Sequence, residues 1–180
     1  RCLPAASADE LEDLVTQQRP ELVFIVAEDQ LGIGDKNPHV DTYAALHPVN
    51  LGANFRIARV ENATGTSCAL STLGELKCWG LNKDGQLALG DVRPRGAEPT
   101  DLGDQLPKIN LGAKVIDVAV GRSHVCAVTD QGRVRCWGKG ASGQLGNEAA
   151  TSVGGQAGDQ PVTVNVGGAA TRVRAGRNHT

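Results

Sequence analysis

The sequence predicts an all-β fold, part of a β-propeller, preceded by one short helix. Three observations carry this. A phrase of thirteen residues occurs twice, CALSTLGELKCWG from Cys68 to Gly80 and CAVTDQGRVRCWG from Cys126 to Gly138. Each copy follows a segment of alternating apolar residues and precedes a Gly-Gln-Leu turn. The offset between copies is 58 positions at both cysteines, at the tryptophan and at the Gly-Gln-Leu. A constant offset of this size marks an architecture of stacked supersecondary units.

The first residues differ in kind from the rest. Ser7-Ala8-Asp9-Glu10 has capping-box spacing, and Leu11, Leu14 and Val15 follow at helical spacing. This predicts a helix from about Ala8 to Gln18, ended by Pro20, and then a strand over Leu22 to Ala27. Residues 1–28 are set apart on these grounds. The repeats are assigned to 29–180, in units of about 29–80, 81–138 and an incomplete 139–180. The first unit begins faintly at DQLGIGD, Asp29 to Asp35, an echo of GQLALGD from Gly85 to Asp91.

Within a unit, the lead-in predicts a strand. In Val115 to Gly121, alternation puts Ile116, Val118 and Val120 on one face and Val115, Asp117 and Ala119 on the other. In Phe55 to Glu61 it groups Phe55, Ile57 and Arg59. Gly121-Arg122-Ser123-His124 follows the second lead-in and recurs as Gly176-Arg177-Asn178-His179, while the first copy has Gly65-Thr66-Ser67.

The repeated phrase itself reads as a β-hairpin. Thr72-Leu73-Gly74 and Asp130-Gln131-Gly132 fit a three-residue loop whose third residue is left-handed, the conformation glycine tolerates best. That loop length sets the register. It places Cys68 opposite Cys78 and Cys126 opposite Cys136. Opposed residues on antiparallel strands have Cα atoms about 4.5 to 5.5 Å apart, within disulfide range. One cross-strand disulfide per repeat is the expectation, with two small buried thiols as the alternative. Cys2 has no partner in the pattern.

Trp79 and Trp137 are expected to be packing anchors between blades, each followed by a glycine, Gly80 or Gly138, that permits close backbone approach. The turns Gly85-Gln86-Leu87 and Gly143-Gln144-Leu145, with Gly121, His124, Gly176 and His179, complete the set of repeat anchors. Units of three or four short strands at this spacing fit the blade of a propeller.

The stretch GRSHVCAVTDQGRVRCWGKGASGQLGN, Gly121 to Asn147, resembles the regulator-of-chromosome-condensation repeat. That family's pattern is Gly-x-x-His, Ala-Leu, a glycine turn, Trp-Gly and Gly-Gln-Leu-Gly. The first copy departs from it by lacking the histidine and by having Ala88 after Gln86-Leu87. The resemblance implies a seven-bladed propeller, of which about three blades are represented here. Three blades cannot close such a ring, so this chain is expected to be a fragment whose partners include other blades of a longer product; self-assembly of copies is the alternative. The cysteine-bearing variant is similar to members found in secreted bacterial proteins. The expected function is a protein-binding scaffold in a secreted, periplasmic or cell-surface setting. The alternative the family also implies is a guanine-nucleotide exchange factor or regulator of a small GTPase, in the cytoplasm or nucleus.

Other chemistry is weakly signalled. His124 and Cys126 fall on one strand face, as a nucleophile pair would, but Cys126 is already matched to Cys136 and the histidine recurs with the repeat. Asp35, Asn37, His39 and Asp41 alternate, yet the glycine and glutamate of a calcium hand are replaced by Val40 and Leu46. Asn62-Ala63-Thr64 and Asn178-His179-Thr180 fit the glycan acceptor rule. No catalytic, cofactor or metal residues are assigned, and the chain is not read as an enzyme. A net charge of −2 and 3% aromatic residues argue against nucleic acid as a partner. The longest apolar run, Leu22 to Ala27, is too short to span a membrane. Recognition is assigned to the longest insertions, Asp35 to Pro48, Val92 to Lys108 and Glu148 to Val162.

Overall fold

A computed structural model describes residues 49–180. The expected N-terminal helix and strand, Cys2, the Asp29 to Asp35 echo and the loop from Asp35 to Pro48 all lie outside the described residues.

The described residues form two antiparallel sheets and almost no helix. The first holds β1 (Ile57–Ala63), β2 (Thr66–Ser71) and β3 (Leu76–Gly80) in the order β1-β2-β3. The second holds β4 (Val115–Val120), β5 (His124–Thr129), β6 (Val134–Gly138) and β7 (Val162–Val164) in chain order. Two 3-10 turns, Pro99–Asp101 and Gly103–Gln105, lie between the sheets in sequence.

The hairpin register agrees with the prediction. Cys68 faces Cys78 and Cys126 faces Cys136. The loop closes with Ser71 N–H donating to the Glu75 carbonyl at 2.8 Å and Gly74 N–H to the Ser71 carbonyl at 3.0 Å. Gly74 and Gly132 are left-handed, with φ of 81° and 72°. Counting inward from the bonded Ser71–Glu75 pair, alternation puts each cysteine pair at a non-hydrogen-bonded site, where strands approach closest. The pairs accordingly stand at disulfide distance with Cα atoms 4.1 Å apart, nearer than the spacing expected from sequence.

The lead-in strands depart from simple alternation. β1 starts at Ile57, so Phe55 is a core residue ahead of the strand rather than part of it. In β4 a register shift between Val115 and Asp117 expels Ile116, which is 47% exposed, and turns Asp117 inward, 3% exposed. A bulge of this kind adds a residue to one strand and reverses the facing of the residues after it. From Asp117 to Val120 the strand is buried on both faces, because the first sheet packs on one side and the segment around Val173 on the other.

The core lies in the seams between sheets. Cys68, Leu70, Leu76 and Cys78 of the first sheet, with Leu87 from the turn that follows it, pack with Val115, Val118, Val125, Ala127 and Trp137 of the second sheet. Trp79 packs the opposite way, with Val49, Leu51, Phe55, Leu102 and Leu106. Cys126, Cys136 and Leu145 pack with Val173. Cysteine and tryptophan are neighbours on β3 and on β6, so they point to opposite faces of the sheet. In the second unit Trp137 faces the preceding repeat while Cys136 faces the following one.

Candidate functional site

The seam between repeats is built from the repeated residues. Trp137 is fully buried, and its Nε1–H donates to the Gln86 carbonyl at 2.7 Å. The turn that carries Gln86 is shaped by Gly85, whose N–H donates to the Asn82 carbonyl at 3.0 Å. Leu87, fully buried, is held by its N–H on Asn82 Oδ1 at 2.9 Å. Gly143, Gln144 and Leu145 form the matching turn after the second hairpin, with Gly143 N–H on the Gly140 carbonyl at 2.9 Å. Trp79 is also fully buried, but its Nε1 has no partner among the described residues.

Gly80 and Gly138 permit the approach that Trp-Gly was expected to need. A Cβ on Gly80 would lie 2.0 Å from the Gly65 carbonyl oxygen, and one on Gly138 2.5 Å from that of Ser123. In the Gly-x-x-His turn, the Gly121 N–H donates to the His124 carbonyl, and the histidine ring covers the glycine. Gly176 and His179 repeat this arrangement. His124 is fully buried, with Nε2 2.8 Å from Thr180 Oγ1. Burial pushes its imidazole below the ordinary value of 6.5.

Cys126 Sγ lies 3.4 Å from the same Thr180 hydroxyl, so His124 and Cys126 do share a face. Cys126 is at disulfide distance from Cys136, however, and both Cys126 and His124 are closed off from solvent. The pair therefore offers no accessible thiolate.

Two buried charged groups, Asp117 and Lys77, make contacts that the sequence did not signal. Asp117 accepts from Arg59 of the first unit, from the Val173 N–H at 2.8 Å and from Arg174 at 3.1 Å. One carboxylate so ties three successive units. Lys77, 3% exposed, donates to the carbonyls of Leu51 at 2.8 Å and Gly103 at 2.9 Å and lies over the Phe55 ring. Desolvation lowers its pKa. Asn82 is the third missed organiser, since its amide also donates to the carbonyls of Asp91 and Arg93. A single polar residue inside a strand pattern carries no sign of the partner that will bury it.

Of the proposed recognition insertions, Val92 to Lys108 is partly structural. Asp101, Leu102 and Leu106 are buried, and Arg93 pairs with Asp101. Glu148 to Val162 is mostly exposed, though the Gly154 carbonyl accepts from Gly90 N–H at 3.1 Å.

The sheets' two ends differ. Hairpin tips at Gly74 and Gly132 form one end. At the other, the turn at Thr64, the loop from Leu81 to Gln86, the turn at Arg122 and the loop from Lys139 to Ser142 surround a cavity of about 350 Å³. A second cavity of about 470 Å³ lies against Gln144, Leu145 and Val173.

Residues 74–128 and 115–144 match the regulator of chromosome condensation (RCC1) repeat. The chain carries RCC1-type repeats. Human probable E3 ubiquitin-protein ligase HERC3 is 30% identical over 151 residues, which is 84% of this chain and 13% of that protein. The ultraviolet-B receptor UVR8 of Arabidopsis thaliana is 32% identical over 117 residues, covering 65% of this chain and 24% of the receptor. Prp20p of Saccharomyces cerevisiae superposes with a TM-score of 0.58 at 20% identity, over 83% of this chain and 35% of that one. Human WBSCR16 gives 0.55 at 20% identity, over 78% and 33%. The chain thus spans a minor part of each relative's length. These RCC1-type repeats, with two antiparallel sheets and propeller neighbours, form part of a β-propeller.

Proposed function

We propose that this chain is a protein-binding scaffold, a stiff array of RCC1-type repeats that presents its loops to a protein partner and performs no chemistry of its own. The observation that carries this is the contrast between seam and rim. The seams are closed by buried tryptophan, leucine and the Asp117 ion cluster. The rim around the inter-repeat cavity is polar and open. Rigid frames with variable loops are how repeat proteins recognise partners. Photo-crosslinking from the rim and from the hairpin tips, in lysate of the source cell, tests this reading. Crosslinks to one protein from positions 83 and 139, and none from 73 and 131, are the expected result. Equal labelling from both ends, or none, overturns it.

A second reading is regulation of a small GTPase by nucleotide exchange. It is supported by the likeness to Prp20p, a protein characterised for its binding to Gsp1p and histones. Acceleration of nucleotide release from a purified small GTPase by this chain would move that reading ahead.

The paired cysteines support an oxidising compartment, hence the extracellular or periplasmic setting. The matched ubiquitin ligases and light receptor lend secretion no support. Thiol titration of denatured protein from its native source separates the two. One free thiol among the five cysteines means two bridges and an oxidising compartment. Five free thiols mean a reducing one, the cytoplasm or nucleus.

A further inference from the structure

The cavity of about 350 Å³ at the end of the two sheets away from the hairpin tips is lined mostly by groups that donate hydrogen bonds. Lys83, Arg122 and Lys139 stand around its mouth, all exposed, and none makes an ion pair among the described residues. Gln86 is the inner member, only 2% exposed. Its side-chain Oε1 accepts from Asp84 N–H at 2.8 Å, and its main-chain carbonyl is taken by Trp137. The Asp84 bond orients the side-chain amide through Oε1, and Nε2, which makes no hydrogen bond among the described residues, is open to the cavity that Gln86 lines. A donor that is open to the cavity and not taken by the protein is available to a ligand that supplies an acceptor.

We infer that this cavity is a carboxylate-binding site, and that its occupant is an aspartate or glutamate side chain on an acidic segment of the protein partner. The inference rests on the scaffold reading above. Three cations beside a fixed amide donor select an anion with exposed oxygens. Asp84 in the same wall opposes a doubly charged phosphate more strongly than a singly charged carboxylate. The chain's net charge is −2, so the attraction is local to this rim rather than a property of the whole surface. The mouth is solvent-exposed, so binding weakens as salt is raised.

Fluorescence anisotropy on the full 180-residue chain tests this with three labelled peptides, hexaglutamate, hexaglutamine and a phosphoserine peptide of matched charge. The expected result is binding of hexaglutamate, none of hexaglutamine, and a loss of about tenfold in affinity for the double variant Lys83→Glu with Lys139→Glu. Gln86→Glu keeps the oxygen that accepts from Asp84 and removes the free donor, so it weakens binding as well. Lys114→Glu, near the Gly74 hairpin tip, leaves affinity unchanged. Thermal midpoints report folding, and if Gln86→Glu does not fold, the Lys83 and Lys139 variant decides alone. No binding of hexaglutamate, equal binding by the variants, or tighter binding of the phosphoserine peptide by about tenfold or more overturns the inference. Rim crosslinks that persist without hexaglutamate binding would sink the carboxylate site and leave the scaffold standing; loss of both would sink the two together.

Discussion

Trp137 and Trp79 occupy the same place in successive repeats and are equally buried, yet only Trp137 Nε1 has an acceptor among the described residues. Phenylalanine at either position loses similar apolar area, so the difference between the two variants isolates the hydrogen bond. Trp137→Phe should destabilise by about 1 kcal/mol more than Trp79→Phe in urea denaturation. Equal losses would mean that the Gln86 carbonyl contributes nothing. His124 gives the second residue-scale expectation. Its folded pKa lies below 6.5, so the unfolded chain binds the proton more readily. Stability should hold above that value and fall as pH drops from 6.5 through the folded pKa. The acid loss should shrink in His124→Gln; an identical pH profile in that variant would remove His124 from the account. The sequence marked both residues by their recurrence. It could not mark Gln86 as an acceptor, because any residue supplies a main-chain carbonyl and only the seam decides which one is used.

At the scale of the element, the hairpin was the most legible feature. A glycine third in a three-residue loop sets the register, and the register sets the cysteine pairing, all within eleven residues from Cys68 to Cys78. The lead-in strand was less legible. Alternation assumes one buried face, whereas β4 is buried on both and carries a bulge, so Ile116 and Asp117 exchanged their expected places. The Trp-Gly pair makes a testable contrast. Gly138 and Gly112 both have positive φ, 97° and 74°, but a Cβ meets the Ser123 carbonyl oxygen at 2.5 Å only at Gly138. Gly112→Ala should cost about 1 kcal/mol, the strain of the left-handed backbone alone. Gly138→Ala should cost about 2 kcal/mol more, since backbone must shift. Similar midpoints for the two would show that the close approach is readily relaxed.

Across the whole molecule, the units are coupled by contacts that single repeats do not contain. Asp117 joins Arg59, Val173 and Arg174 across three units. Asp117→Ala should lower stability by about 2–3 kcal/mol, less than a fully buried pair because Arg59 and Arg174 are 34% and 63% exposed and can rehydrate. The transition should also broaden, since repeat arrays depend on nearest-neighbour coupling. A sharp transition at the wild-type midpoint would assign the coupling to apolar packing. Sequence alone determined the repeat, the hairpins, the cysteine register and the family resemblance, because each rests on residues close in the chain or on a constant offset. Only the tertiary structure decided the direction in which Trp137 packs, the burial of Asp117 and Lys77, and the donor-lined cavity around Gln86. The hydrogen-bonded partners among these lie up to 58 residues apart. Nothing local specifies such pairs; they meet because one sheet stacks on the next.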